Sequence, residues 1–281
     1  MRVHVISTLG KIPLAKLTPQ RLQALYADRL ASGRSPTTVR SIHAVLHTAL
    51  EAAVKWGLVA RNVSDLVSAP RPHRKEMLVL NRDQARTFLD IAQGDRLQAL
   101  YVTALTCGMR EGELLALRWR DVDLEAGHLQ VRNTLQKLPG QPPVIAPVKT
   151  DYSRRKINLS ATAAEALGAH RTRQIEERLA KGPAWEDWEL VFCTTIGTPL
   201  NGKSLLQRGL RPLLKRADLP PLRVHDLRHS CATLLLLQGV HPKIVSEMLG
   251  HASVAITLQI YSHVLPDMQK QATEAMDRLF G

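Results

Sequence analysis

The sequence predicts a mainly α protein with a small antiparallel β-sheet: an all-α N-terminal domain followed by a larger α+β domain. Three observations carry this expectation. Apolar residues recur three or four apart through most of the chain, in stretches opened by Thr-Pro, Ser-Pro or Asn and closed by glycine. The region from Val122 to Leu159 breaks that rhythm with short strand-like runs and Gly/Pro turns. Hydrophobic residues make up 44% of the 281 residues but aromatics only 4%, which points to a Leu/Ala/Val core of packed helices.

Thr18 and Pro19 open a first helix over 18–31, with Leu22, Leu25, Tyr26 and Leu30 as its apolar stripe and Gly33 as its stop. Ser35 and Pro36 repeat the signal. The second helix runs to Trp56, burying Val39, Ile42, Leu46, Leu50 and Val54. A short helix near Val63–Val67 completes a domain over residues 1–70. The stretch APRPHRKEM carries two prolines and three basic residues and reads as an extended segment, with residues 71–77 as the linker.

The second domain, 78–281, opens with helices from Asn81 or Asp83 to Gln93 and from Asp95 to Thr106. Gly108 interrupts, and Glu111–Arg118 forms a third. Strands are expected at Val122–Leu124, His128–Asn133 and Arg155–Leu159, with turns at Gly127 and at the Gly140-Pro142-Pro143 cluster. Ala161–Lys181 is helical again, and Leu190–Cys193 reads as a short strand. Further helices fall at 202–216, 225–238, 241–249, 254–262 and, as an amphipathic tail through Met268, Ala272, Met276 and Leu279, at 266–280.

There are 38 Lys+Arg against 25 Asp+Glu, a net charge of +13, and a field of that sign favours polyanions, nucleic acid above all. No run of 18 apolar residues marks a membrane span, and the N-terminus lacks a signal-peptide core. Cys107, Cys193 and Cys231 are isolated, form no CxxC pair and sit beside apolar residues, as reduced core thiols do. Those features are expected of a soluble protein of the cytoplasm, or of the nucleoid in a bacterium.

Candidate functional residues lie in four segments. In TCGMREGELLALRW, Glu113 stands one helical turn after Arg110, so its carboxylate can hold the guanidinium, either as a surface pair or as a charged pair set among core helices. In PVKTDYSRRKINL, Lys149, Arg154 and Arg155 crowd a turn between strands, suited to phosphate contact or simply to solvent. His225, Arg228 and His229 share one helical face opposite Leu227, Cys231 and Leu234. Such a face is a site or a solvated surface. The i,i+4 histidines raise zinc, but the arginine between them and the missing HExxH glutamate and cysteines argue against any metal. His251 and Tyr261 close the pattern in LGHASVAITLQIYSHV, where the tyrosine alone reads as a core residue. In the first domain Arg34, Thr37, Thr38 and Arg40, around a helix N-terminus, suit phosphate or water.

Together these segments resemble the tyrosine recombinases of the phage-integrase type, over nearly the whole chain. TCGMREGELLALRWRDVDL is similar to the first arginine box, PVKTDYSRRKINL to the lysine-bearing hairpin, RVHDLRHSCATLLLLQGV to the His-x-x-Arg box, and the Tyr261 segment to the closing box. Residues 1–70 resemble the helical core-binding domain. Integrases of this type often begin with an arm-binding domain; only MRVHVIST precedes Leu9, so the N-terminal part is expected to be incomplete.

The resemblance implies a site-specific recombinase that breaks and rejoins double-stranded DNA through a 3′-phosphotyrosyl intermediate, with no cofactor. Tyr261 would be the nucleophile, Arg110 and Arg228 the clamp on the phosphate, Lys149 the acid for the leaving oxygen. His225 would position or deprotonate Tyr261 and His251 would bond a phosphate oxygen, with Glu113 in support. It also implies four protomers on paired sites, with an accessory DNA-bending protein as a further candidate partner. The tail helix would pack on its own domain or on a neighbour. A binding-only descendant of an integrase and a type IB topoisomerase-like strand transferase are the alternatives.

Overall fold

The computed structural model describes residues 2–71, 77–138, 140–261 and 268–280. Most of the expected linker, residues 72–76, lies outside them, as do Ser262 and the first two positions of the expected tail helix. The chain divides into two compact units, Met1–Glu76 and Met77–Gly281. Each has its own core.

In the first unit, α1 (Pro19–Ala31) and α2 (Pro36–Lys55) pack through Leu22, Leu25, Tyr26, Val39, Ile42, Leu46 and Leu50, all buried, and Val5, Leu9 and Val67 cover the end of that cluster. Ser35 caps α2 as its sequence requires: its Oγ accepts from the Thr38 amide at 3.2 Å. Thr18 holds the N-cap position of α1 but makes no side-chain cap bond there. The turn Val63–Leu66 is fixed by buried Asn62, whose Oδ1 accepts from the Ser64 amide and hydroxyl while its Nδ2 donates to the His47 carbonyl.

The second unit begins with α3 (Arg82–Ile91), entered through a reciprocal capping box between Asn81 and Gln84. Next comes α4 (Gln98–Cys107), buried on nearly every side. A helix apolar all round must be enclosed, and α4 lies between α6 (Ala161–Lys181) and α8 (Val224–Leu237). Between α4 and α6 come α5 (Glu111–Leu115) and the β region. Strands β1 (Val122–Asp123), β2 (His128–Val131) and β5 (Arg155–Asn158) form an antiparallel sheet in the order β1-β2-β5, with Leu129 opposite both Val122 and Ile157. Those three apolar residues share the buried face, as period-two alternation dictates.

Two segments differ from what the sequence predicts. Strands β3 (Asn133–Gln136) and β4 (Val144–Pro147) form a separate antiparallel hairpin; the expected strand ended at Asn133, and the chain before Lys149 was given no strand bounds or partner. Neither strand alternates: β3 is half-buried at every position, so no periodic signal existed to read. Leu190–Cys193 is not a strand; Leu190 makes one isolated bridge to Arg118 and Cys193 one to Pro199. The Arg118 bridge also explains why α5 stops at Leu115, since extended backbone is needed three residues later.

Residues 202–216 are helical, with a π-helical stretch at Leu205–Leu210 leading into α7 (Arg211–Arg216). After α8 come α9 (Pro242–Leu249), α10 (Val254–Tyr261) and α11 (Met268–Phe280). A smaller cluster of Ala232, Leu236, Val245, Leu249 and Tyr261 joins α8, α9 and α10. Among the described residues no helix is long and apolar enough to cross a membrane.

Candidate active site

The N-terminus of α5 is set by a glycine. Gly108 ends α4 at φ +58°, and a Cβ there would stand 2.7 Å from Leu249 Cδ2 and 3.3 Å from Cys231 Sγ. This close approach brings α8 against the chain reversal, and the Gly108 carbonyl accepts from Arg228 Nη1 at 2.7 Å. Arg228 is 3% exposed. Burial, followed by the charges of Arg110 and Arg155, pushes its pKa down to about 10, so it stays cationic at neutral pH.

Arg110 follows at the N-cap of α5 with its side chain 37% exposed. Its Nη1 donates to Glu113 Oε1 at 2.7 Å and its Nη2 to the Gly250 carbonyl at 2.7 Å. Glu113 is buried and serves two arginines: Oε2 accepts from Arg155 Nη2 at 2.8 Å and from the Arg110 amide at 3.0 Å. Burial alone would raise its pKa, but hydrogen bonds and charge from Arg155, then Arg110, outweigh it and hold the carboxyl below its ordinary value.

Arg155 is not the exposed phosphate contact that the basic turn suggested. Its side chain is 6% exposed. Besides Glu113, it donates through Nε to the Met248 carbonyl at 2.5 Å and through Nη1 to the Ser153 carbonyl at 3.1 Å. Arg155 thus fastens the start of β5 to the end of α9. Arg154, beside it, is exposed. So are Arg34, Thr37 and Arg40 of the first unit, while Thr38 is half-buried with its hydroxyl 2.9 Å from that of Ser35.

The end of α9 delivers His251. Gly250 caps the helix at φ +67°, and a Cβ on it would meet Arg155 Nη1 at 2.9 Å and the Tyr152 carbonyl at 3.0 Å. Gly250→Ala therefore combines a left-handed backbone penalty with a displaced guanidinium; a loss of about 1–3 kcal/mol is expected, read as a lowered Tm. His251 Nδ1 lies 2.8 Å from Thr257 Oγ1, a buried hydroxyl of α10. Burial and the charges of Arg228, Arg110 and Arg155 push the imidazole down to about 4, leaving it neutral.

Tyr261 ends α10 with no exposed surface, its ring against Ala232, Leu236, Val245 and Leu249. Burial pushes the phenol up to about 12. Its oxygen meets His229 Nδ1 at 2.8 Å. His225 packs edge-on against His229, ring centroids 4.7 Å apart at 88°, and among the described residues it makes no hydrogen bond to Tyr261. Burial and Arg228 lower the pKa of His225. The shared helical face of His225, Arg228 and His229 was legible in the sequence; which histidine reaches the tyrosine was not, because that contact spans 32 residues of chain.

Five of the six residues singled out from the sequence thus converge: Arg110, His225, Arg228, His251 and Tyr261. Lys149 is exposed on the loop between β4 and β5, six positions before Arg155. An open groove of about 600 Å³, which Lys149 does not line, is bordered by Arg120, Arg132, Arg154, Arg155 and Lys156. Arg110 and Arg155 bond the one buried carboxylate, Glu113, and Arg228 lies within range of all three charges, an excess of fixed positive charge that suits a phosphate diester.

Comparison with known proteins agrees with this geometry. The profile of the phage integrase family matches residues 79–268. The chain is 31% identical to a XerC-like tyrosine recombinase of Caldanaerobacter subterraneus subsp. tengcongensis, over 92% of this chain and 71% of that one. It is 32% identical to an integrase of Streptomyces ambofaciens, over 99% and 72%. Among solved structures, the Tn1549 transposon integrase in complex with transposon right end DNA superposes with a TM-score of 0.79 at 22% identity, covering 97% of this chain and 89% of that one. A lambda integrase dimer bound to a core site gives 0.60 at 19% identity, covering 87% and 82%. The fold and the sequence agree: the chain belongs to the phage integrase family of tyrosine recombinases, and it is a site-specific DNA recombinase.

Proposed function

We propose that this recombinase cuts and rejoins duplex DNA by a metal-independent transfer of the phosphodiester to Tyr261, giving a 3′-phosphotyrosyl link and a free 5′-hydroxyl. The observation that supports it most is the convergence of Arg110, Arg228, His251 and Tyr261 from segments far apart in the chain. Arg110 spends two of its five donor hydrogens on Glu113 and Gly250, leaving three for the non-bridging oxygens of a phosphate. Arg228 supplies the second bidentate donor, and both strengthen as charge builds on the pentacoordinate phosphorus. Neutral His251, its Nδ1 engaged by Thr257, offers Nε2–H to a phosphate oxygen. His225 stands beside the arginines as a further donor. Lys149, on its exposed loop, protonates the departing 5′-oxygen once DNA draws the loop in.

Arg34, Thr37, Thr38, Arg40 and Arg154 hold the DNA backbone in this reading, and the first unit is the core-binding domain. Four copies act on paired sites. Exposed Met276, Leu279 and Phe280 on α11 (53%, 73% and 82%) support packing of this helix on a second copy. Strand exchange belongs in the cytoplasm, which suits three buried, free cysteines.

The test is to incubate the purified protein, in chelator, with nicked duplex fragments from the element and its host, then to isolate SDS-resistant adducts. Adducts whose DNA-linked peptide contains Tyr261 are expected, and sequencing their DNA gives the crossover site. Salt-sensitive binding without any adduct would favour the binding-only alternative and overturn the catalytic reading.

A further inference from the structure

The nucleophile's hydrogen-bond partner is His229, one residue beyond the His-x-x-Arg pair, and not His225. We propose that His229 is a further catalytic residue: its Nδ1 takes the phenolic proton of Tyr261 as the oxygen attacks phosphorus. The inference rests on the assignment of Tyr261 as nucleophile made above.

The geometry supports the transfer. The Oη–Nδ1 distance is 2.8 Å, within reach of a direct proton jump. Tyr261 is fully buried, so bulk water does not compete as acceptor. The ring of His229 lies 5.9 Å from that of Tyr261, tilted by 56°, and is braced from its other neighbour by the edge-on ring of His225. Both histidines ride on α8, whose first turn is locked by Arg223 and Asp226: Arg223 gives its amide, Nε and Nη2 to that carboxylate at 2.8–3.0 Å. The acceptor is therefore carried by a rigid element that also carries Arg228.

The protonation states leave His229 free to accept, while burial pushes the Tyr261 phenol up to about 12 and so opposes transfer until a phosphate is bound. Burial, then His225, push His229 down to about 4; Arg228 and Arg223 act in the same direction and Asp226 against it. The imidazole is neutral, with the Nδ1 lone pair free to accept when its proton is on Nε2. A phosphate docking on Arg228 cancels part of the positive field and raises the basicity of His229 at the moment of attack.

The step balances. The Tyr261 Oη–phosphorus bond forms and the phosphorus–O5′ bond breaks. The phenolic proton moves to His229, and O5′ takes a proton from Lys149. Rejoining reverses all four events.

The experiment uses the crossover site mapped from wild-type adducts, as a nicked duplex with either the normal 5′-oxygen or a 5′-bridging sulfur, a leaving group that needs no acid. Single-turnover adduct formation is measured for wild type, His229→Ala, His229→Asn, Lys149→Ala and Tyr261→Phe. Asparagine keeps an acceptor near the Nδ1 position but cannot take a proton. Both His229 variants are expected to cleave roughly 10²–10⁴-fold more slowly on either substrate, with unchanged DNA binding and near-wild-type melting. Lys149→Ala is expected to recover on the sulfur substrate alone. Wild-type rates in His229→Asn would overturn the proposal in favour of a positioning role. A faster His229→Ala would overturn it by showing that His229 holds the tyrosine back. Adducts formed by Tyr261→Phe would instead sink the nucleophile assignment itself, a distinct failure.

Discussion

Tyr261→Phe is expected to abolish covalent attachment to DNA while leaving fold and DNA affinity in place. The ring packs against Ala232, Leu236, Val245 and Leu249, and phenylalanine preserves every one of those contacts. Only the hydroxyl is lost, and with it the hydrogen bond to His229. That bond is worth about 1 kcal/mol of stability, so melting should shift by a few degrees at most. The chemical loss is of another order. Without the nucleophile, the arginines still bind the phosphate but nothing attacks it, and the cleavage rate should fall by at least about 10⁴-fold. Adduct formation and a mobility-shift titration on the same DNA separate the two effects. Weakened binding together with lost cleavage would mean that Tyr261 supports the fold instead of reacting.

The second large effect is expected at Glu113. All three groups facing its carboxylate are donors: Arg110 Nη1, Arg155 Nη2 and the Arg110 amide. Glutamine offers one oxygen, so its amide nitrogen faces a donor whichever way it turns. Two arginines, one of them 6% exposed, would then lack their counter-charge. Breaking a buried pair in this way costs about 3–5 kcal/mol. Cleavage should fall by roughly 10²-fold or more as Arg110 loses its hold.

Replacing both members by apolar residues, Glu113→Leu with Arg155→Met, removes the stranded charge and should recover much of the stability. It should not recover cleavage, because Arg110 still lacks its clamp. Recovery of both would mean that the carboxylate serves the fold alone.

The same carboxylate carries a pH signature. Its folded pKa lies below the ordinary 4.5, so its contribution to stability is complete above about pH 4.5. That contribution is lost as pH falls through the lower folded value. Wild-type Tm should drop over this acid range, and Glu113→Gln should show a shallower slope there.

The sequence by itself determined the helices, because their signals are local. Ser35-Pro36, the Asn81/Gln84 box and the regular apolar spacing of Val39, Ile42, Leu46 and Leu50 act within a few residues of one another. It determined the net charge, the helix start that holds Arg110, the helical face that supplies Arg228 and, through its motifs, the family. The pairing of Asn133–Gln136 with Val144–Pro147 stayed hidden, because the first strand is half-buried at every position and the second is exposed only at its two ends, so neither alternates.

The tertiary structure decided which charges are free. Arg154 and Arg155 are neighbours and look equivalent in sequence, yet one is exposed and the other is buried against Glu113 and the Met248 carbonyl. It decided that His229, not His225, meets Tyr261. Both choices depend on contacts between residues 32 to 93 positions apart. Local periodicity fixes which face a side chain occupies, but only the packing of α5, α8, α9 and α10 around Gly108 and Gly250 fixes what that face touches.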